Sequence, residues 1–386
     1  MKIGIIAPFD ALSIYSGASA RVHNIAECLN ACGASVYVLH HGPTLNISQN
    51  FRFINFKKLD VLTGSSNYLH PLNVTYYGAL IRFFKKFQPD IIQCEQPWSL
   101  CSTIYLAHFF GIPCILDEHN VEFKWGLSAS RLPFLAPINL VLEKTACSHS
   151  SFILTTSDID KKILMRTYKI SNDKILVVPN GVNTQRFSVI SCDKLSLKKK
   201  LNLSSQRKVV LFHGIMSAKQ NYEAADLIID FIAPKFPRAL FIIIGQGCPN
   251  WIINKARSHE NVRFLGFISN LDEYISASDL CILPIRCGSG TRLKLMDYLA
   301  AGKPIVSTVI GAEGIPITSG VQAILCDDVN SGFIEAMNNI LEDLEATRIL
   351  SAESKKLAEK MSWQNIARSL YCAYMMRFRK DPTTAH

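Results

Sequence analysis

Residues Gly288–Thr308 read GSGTRLKLMDYLAAGKPIVST, and the rest of the chain is best read outward from them. A glycine-rich turn opens a predicted helix. Arg292 and Lys294 stand in its first turn, and Asp297 follows one turn later. Gly302 ends the helix, and an apolar strand over 304–308 follows at once. The amino end of a helix exposes backbone N–H groups and carries roughly +0.5 charge, so it attracts phosphate. Two cations beside it make a di-anion the natural guest. Asp297 can accept hydrogen bonds from the hydroxyls of a sugar or a ribose. The chemistry implied is a sugar joined to a nucleoside diphosphate. The plainer alternative is a surface ion pair, because Lys294 and Asp297 are three residues apart and share a helix face; it would be worth roughly a few tenths of a kcal/mol.

On either side, short apolar runs alternate with amphipathic stretches of helical length, the pattern of parallel sheets covered by helices. Strands are predicted over 2–7, 35–39, 90–94, 113–116, 152–155 and 175–178, with helices over 17–32, 76–87, 104–111, 136–148 and 158–168. A second block has strands over 209–213, 240–244, 262–265 and 280–284, and helices over 222–232, 271–277 and 332–345. Between the blocks, 188–207 is polar, basic and weakly periodic, and is read as an interdomain linker. The expected domains are 1–187 and 208–362, with a long aromatic, basic helix over 363–380 closing the chain. The fold class is α/β: two Rossmann-like, doubly wound parallel-sheet domains. Ligands of such sheets bind beyond the strand carboxyl ends, which would put a ligand in a cleft between two facing domains.

The chain has 386 residues, 48% hydrophobic and 19% charged, enough for globular cores. The opening MKIGIIAPFD is interrupted too soon for a signal peptide and reads as a first strand. No run approaches the roughly 18 apolar residues of a membrane span. Twelve cysteines show no Cys-x-x-Cys spacing and sit mostly in apolar contexts, as core thiols of a cytoplasmic protein would. Ten histidines form no HxxxH or HExxH pattern, so no metal site is indicated. The net charge of +10 suits anionic small molecules, an anionic membrane surface or nucleic acid. Basic residues interleaved with exposed aromatics are not evident, which argues against nucleic acid. Ala79–Phe87 is amphipathic and basic, a candidate for peripheral membrane contact; its alternative is a helix packed on its own sheet. Asp158-Ile-Asp160 is formally a metal-binding DxD triplet, but helix N-capping accounts for it.

Further motifs stand in a fixed order: Tyr15-Ser-Gly-Ala-Ser-Ala-Arg21, Asp117-Glu-His-Asn-Val-Glu122, Val178-Pro-Asn-Gly-Val-Asn183 with Phe187, and Phe212-His-Gly214 through Asn221. Ile244-Gly-Gln-Gly247, Phe264-Leu-Gly266 and Asp279-Leu-Cys-Ile-Leu-Pro284 then lead into the opening segment. In this order the chain resembles the retaining glycosyltransferases of the GT-B fold, in particular glycosyltransferase family 4 (glycosyl transferases group 1), over nearly its whole length. Two departures stand out. The family's paired glutamates, eight residues apart, are here Ser289 and Asp297. Its Gly-Arg-Leu after the first strand of the second domain is here Gly214-Ile215-Met216, without the arginine.

The resemblance implies transfer of a sugar from a nucleotide-sugar donor, with retention, to a glycan, lipid-linked or small-molecule acceptor. It implies catalytic roles for His119, Arg292, Lys294 and Asp297. Gly17, Gly214, Lys219, Gly266, Ser289, Gly290 and Thr291 are the implied donor-binding residues. His119 would face the donor sugar, and Glu95 is a candidate acceptor contact. Arg21 could bind an anion or be a solvated helix charge. No metal and no cofactor beyond the donor substrate are implied, and the last helix is expected to pack on the first domain. The alternatives are a GT-B nucleotide-sugar epimerase and a non-catalytic, nucleotide-sugar-binding scaffold subunit.

Overall fold

The computed structural model describes residues 1–12, 17–57, 73–123, 136–190, 193–288 and 291–378. They divide into two compact units, one of Met1–Asn180 with the chain from Trp363, the other of Gly181–Ser362.

The first unit runs β1 (Lys2–Ala7), α1 (Gly17–Ala31), β2 (Ser35–His40), β3 (Leu45–Ser48), β4 (Phe51–Asn55), α2 (Val74–Phe87), β5 (Ile91–Glu95), α3 (Pro97–Phe109), β6 (Cys114–Glu118), α4 (Ala136–His149), β7 (Phe152–Thr155), α5 (Asp158–Tyr168) and β8 (Ile175–Val177). Its sheet has the order β3-β4-β2-β1-β5-β6-β7-β8. The neighbours pair in parallel except β3 with β4, which is antiparallel. The central strands are buried on both faces, which is why they are mostly apolar, with polar residues at Gln93 of β5 and at the carboxyl ends of β5 and β6. Gly4 serves close packing in β1: a Cβ there would lie 2.6 Å from Ile92 and 2.9 Å from Phe83 of α2.

The second unit runs α6 (Gln185–Ser188), α7 (Lys194–Lys200), β9 (Val209–His213), α8 (Lys219–Leu227), β10 (Leu240–Ile244), α9 (Asn250–Arg257), β11 (Val262–Phe264), α10 (Leu271–Ala277), β12 (Leu280–Leu283), α11 (Leu293–Ala300), β13 (Ile305–Thr308), β14 (Ile324–Cys326), α12 (Ser331–Glu342) and α13 (Leu344–Lys360). Its sheet, β11-β10-β9-β12-β13-β14, is parallel throughout. In both sheets the strand order reverses direction beside the first strand, between β1 and β5 and between β9 and β12. Such switch points leave a crevice beyond the strand carboxyl ends, the place where doubly wound sheets hold ligands.

The segment read as a linker is a structured part of the second unit. Asp193 caps α7, accepting from the backbone N–H groups of Leu195 and Ser196 at 2.9 and 3.1 Å. Leu197 and Leu203 join the core. Lys198 is buried and donates to Asp279 at 2.7 Å and to the Arg207 carbonyl at 3.0 Å. The basic composition that suggested a solvated tether thus serves an ion-paired helix, and the chain passes between the units at Asn180–Gly181. The last helix, α14 (Trp363–Phe378), belongs to the first unit. Its Trp363, Ile366, Ala367, Leu370 and Tyr374 share a core with Val22, Ile25 and Leu29 of α1.

The apolar face of α2 (Tyr76, Leu80, Phe83, Phe84) is buried in the first unit, which leaves Arg82, Lys85 and Lys86 exposed at its edge. No helix among the described residues is long and apolar enough to cross a membrane. Ser157 caps α5 by accepting from Asp160 N at 3.1 Å, and Asp160 in turn accepts from the Ser157 and Thr156 hydroxyls. Asp160 of the DxD triplet is therefore occupied with capping.

Candidate active site

In the second unit the carboxyl end of β9 and the amino end of α11 are brought together. Tyr298 of α11 ties them, its hydroxyl accepting from His213 N at 3.1 Å. Arg292 occupies the residue before the helix with extended backbone (φ −84°, ψ 96°), and its side chain does not cap the first turn, nor does any other among the described residues. The N–H groups of that turn are thus not taken by a capping side chain.

Lys294 Nζ donates to Asn221 Oδ1 at 2.6 Å and lies 4.5 Å from the centroid of the Phe212 ring. Asn221 is itself fixed, donating to the Ile215 carbonyl at 2.8 Å. Gly214 passes so close that a Cβ would collide with Lys294 Nζ. Burial, with the Arg292 charge adding to it, pushes the Lys294 ammonium down to about 7, although the residue keeps some solvent exposure. The Arg292 guanidinium is buried and turned back toward the Cys287 carbonyl, 3.5 Å away. Burial lowers its pKa, against the attraction of Glu313. The Thr291 hydroxyl is buried with no partner among the described residues, and a Cβ on Gly314 would lie 2.8 Å from it.

Asp297 accepts from Arg186 Nη1 at 3.1 Å. Arg186 also grips Asp272, its Nε donating at 3.0 Å and its Nη2 to the other carboxylate oxygen. Burial pushes the Asp297 carboxyl up to about 6 against the pull of Arg186, and Asp272 adds to the rise. Lys294 and Asp297 therefore reach different partners, and the simple ion pair between them is not what the helix face makes. Next to them, His213 Nε2 is buried and has no partner among the described residues. Burial, then Lys294 and Arg186, hold its pKa well below the usual histidine range.

The other implied donor residues are more dispersed. Lys219 begins α8 with its side chain 71% exposed and pairs with Glu223 at 3.6 Å. Gly214 and Gly266 extend the strand ladder: Gly214 N donates to the Ile244 carbonyl at 2.9 Å, and Gly245 N to the Gly266 carbonyl at 2.8 Å. Gly17 is the exposed first residue of α1. Ser289 and Gly290 lie outside the described residues.

In the first unit a second polar cluster lies at the carboxyl ends of β5 and β6. Arg21 is buried and bidentate to Asp117, Nε at 3.1 Å and Nη2 at 2.9 Å. Its Nη1 donates to Asn180 Oδ1 at 3.1 Å. Arg21 is thus neither a free anion ligand nor a solvated charge. His119 Nε2 lies 2.6 Å from Glu95 Oε2. Burial and Asp117 push the Glu95 carboxyl up, while His119 and Arg21 oppose the rise. Gln93 Nε2 donates to Glu95 at 2.8 Å and to Asp117 at 3.1 Å, and Tyr374 of α14 donates to Gln93 Oε1 at 2.7 Å. Glu95, Asp117 and His119 offer atoms within 4.8 Å of one another, a spacing that could suit a cation. The Arg21 guanidinium already supplies positive charge there.

Arg186, His213, Gln93 and Tyr374 were not singled out from sequence, and Asn221 only as the end of a motif. Arg186 and His213 do lie inside quoted motifs. Gln93 gave a weaker signal, a polar residue in the middle of an apolar strand. Tyr374 gave none.

Comparison with known proteins follows this geometry. The model described as Glycosyltransferase Family 4 matches residues 15–186, and that described as Glycosyl transferases group 1 matches residues 207–343. An uncharacterised glycosyltransferase of Methanocaldococcus jannaschii is 21% identical, over 97% of this chain and 98% of its own length. Among solved structures, sucrose-phosphate synthase from Thermosynechococcus elongatus superimposes with a TM-score of 0.80 at 18% identity, covering 98% of this chain and 99% of that one. HepE of Anabaena, solved in complex with UDP-glucose, superimposes with a TM-score of 0.75 at 16% identity, covering 97% and 99%.

Proposed function

This chain belongs to glycosyltransferase family 4 (glycosyl transferases group 1) and has the GT-B fold, and from that premise we propose that it moves a sugar from a nucleoside-diphosphate sugar to a glycan or lipid-linked acceptor with retention of anomeric configuration. The observation that carries the donor class is the placement of Arg292 and Lys294 at the amino end of α11, where the residue before the helix makes no side-chain cap among the described residues. As the anomeric bond breaks, negative charge grows on the leaving diphosphate while the sugar becomes oxocarbenium-like. Donors fixed in advance at that place stabilise the charge without reorganising, each worth on the order of 3 kcal/mol.

In this reading Lys294 and Arg292 meet the diphosphate. Ser289, Gly290 and Thr291 bind its phosphates, with Gly214 allowing close approach. Asp297 accepts from ribose hydroxyls. Gly17 admits the donor close to α1, and His119 contributes a hydrogen bond to the sugar. Lys219 and Gly266 border the phosphate and base. Positive side chains meet the diphosphate, so the reading includes no metal.

The test is mass-spectrometric detection of sugar transfer, after thermal-shift screening of nucleotides and nucleotide sugars. Stabilisation by a nucleoside diphosphate and its sugar, with transfer to an added acceptor, is the expected result. A changed sugar nucleotide without any acceptor would mark an epimerase instead. Absence of any nucleotide response would remove the reading.

A further inference from the structure

Resting on the sugar-nucleotide reading, we propose that Glu95 is a positioning residue that holds the His119 imidazole with a hydrogen on Nδ1, as a fixed donor to a hydroxyl oxygen of the donor sugar. Four ionisable groups are buried together here: Arg21, Glu95, Asp117 and His119. Arg21 faces Asp117 through two hydrogen bonds and offsets its charge. Glu95 then has His119 as its remaining partner for charge, at 2.6 Å. A buried carboxylate without a counter-charge is strongly disfavoured.

The pair escapes that cost by holding one proton beyond a carboxylate and a neutral ring, and two arrangements do so. In one, a neutral glutamic acid donates its O–H to Nε2, and the ring's own hydrogen sits on Nδ1. In the other, a carboxylate accepts from an imidazolium with hydrogen on both nitrogens. Nδ1–H is common to both, so the conclusion does not depend on which atom holds the shared proton.

The amide of Gln93 fixes the directions. Its Oε1 accepts from the Tyr374 hydroxyl, so its NH2 faces Glu95 Oε1 and Asp117 Oδ2. Glu95 Oε1 is thereby an acceptor, and Oε2 is the atom that meets His119. A tyrosine on α14 and a glutamine on β5 thus act on the orientation of a histidine beyond β6. Nδ1 itself is buried without a partner among the described residues. An unsatisfied buried N–H is rare and costly, and an incoming oxygen would relieve it. It stands at the carboxyl end of a doubly wound sheet, where ligands bind.

The experiment uses the full chain labelled with 15N-histidine. Long-range 1H–15N spectra near pH 7 report which ring nitrogens carry hydrogen, and His119→Gln identifies the signal by its loss. The wild type should carry hydrogen on Nδ1. Glu95→Gln should keep it, because the Gln93 NH2 draws the new amide oxygen and turns the new NH2 toward Nε2. UDP-glucose should shift the Nδ1 signal, and UDP alone should not; a shift with UDP alone would put a phosphate oxygen in place of the hydroxyl and overturn that part. In transfer assays Glu95→Gln should stay within about tenfold of wild type, while Glu95→Met loses about a hundredfold in kcat, with UDP affinity unchanged in both. An unprotonated Nδ1 in the ligand-free wild type, or equal loss in both variants, would overturn the proposal. Should Glu95→Met not fold, the spectra of wild type and Glu95→Gln decide alone. A wild type that responds to none of the nucleotides and nucleotide sugars screened and transfers no sugar would sink the sugar-nucleotide reading, while its ligand-free spectrum still decides the placement of the proton.

Discussion

Lys294 Nζ donates to Asn221 Oδ1 at 2.6 Å, so the one helix cation most central to the candidate site is held by an uncharged partner. An amide orients an ammonium without neutralising it, which leaves the charge available to an anion. Lys294→Ala should therefore weaken binding of the nucleoside diphosphate that the screen selects by about 2 kcal/mol, roughly thirtyfold, and binding of its nucleoside hardly at all. Calorimetric titration of both ligands checks this. Equal loss for nucleoside and nucleotide would remove Lys294 from the diphosphate.

The same ammonium gives a pH signature. Burial holds Lys294 near 7, so in the free protein it is largely neutral above that value. A bound diphosphate favours the charged form and raises the pKa again. Binding of the nucleoside diphosphate near pH 8 should then take up close to one proton, and affinity should fall as the pH rises from 7 to 9. The ligand-free protein has the opposite slope. Its native state binds fewer protons than the unfolded chain between about 7 and the ordinary lysine range, so this group's contribution makes stability rise with pH there. Titrations in buffers of different ionisation enthalpy measure the uptake, and Lys294→Met should abolish it. Binding with no proton exchange at pH 8 would contradict the assignment.

Gly214 is set against both partners of that hydrogen bond. A Cβ there would collide with Lys294 Nζ and lie 3.0 Å from Asn221 Nδ2. Flexible side-chain ends can yield, so Gly214→Ala should fold with a small loss of melting temperature while nucleoside diphosphate affinity drops about tenfold or more. At Gly245 the added atom would strike the backbone carbonyl of Gly214, which cannot move aside. Gly245→Ala should accordingly lose melting temperature first. The reverse ranking in paired thermal and binding measurements would count against this account.

The fold was legible because its signals are local. Buried parallel strands are apolar runs, and β9, β10 and β12 were read from sequence close to their observed bounds. The edge pair β3 and β4 was missed, since Leu45–Ser48 is exposed and carries no apolar run. The linker was misread because a polar, basic stretch looks the same whether its lysines meet water or Asp279, which lies some eighty residues on in sequence. In the site, Arg292, Lys294 and Asp297 were visible as charges at a helix start. The partners of Lys294 and Asp297, Asn221 and Arg186, come from other elements, and no spacing rule ties residues separated by 73 and 111 positions.

Arg186 bridges Asp297 and Asp272, and this bridge makes its own prediction. Asp297 has a folded pKa of about 6, above its unfolded value. A raised carboxyl contributes stability that is present below the unfolded pKa and is lost as pH climbs through the folded one. Between about pH 4 and 6 the wild type should thus lose stability relative to Asp297→Asn, which has no proton to release. Arg186→Met removes the opposing cation, so the Asp297 transition should move to higher pH. Thermal unfolding from pH 4 to 7 with all three proteins reads both effects. An unchanged transition in Arg186→Met would show that the bridge does not govern this carboxylate.

Arg21 and Asp117 form the buried pair on which the first unit's polar cluster depends. Removing one partner strands a charge that water cannot reach, typically at a cost of about 3–5 kcal/mol. Among the described residues, Asp117→Ala leaves Arg21 hydrogen-bonded to the Asn180 side chain and the Pro179 carbonyl. It should destabilise the first unit by that order, and hydrogen exchange should rise in β5, β6 and α14, which the same network joins. Replacing both partners with apolar residues, Arg21→Met with Asp117→Leu, strands no charge and should recover much of the stability while abolishing any catalysis that depends on His119. The comparison separates electrostatic support from packing: if the double variant is no more stable than Asp117→Ala, the loss comes from altered shape and the buried charge was not its cause.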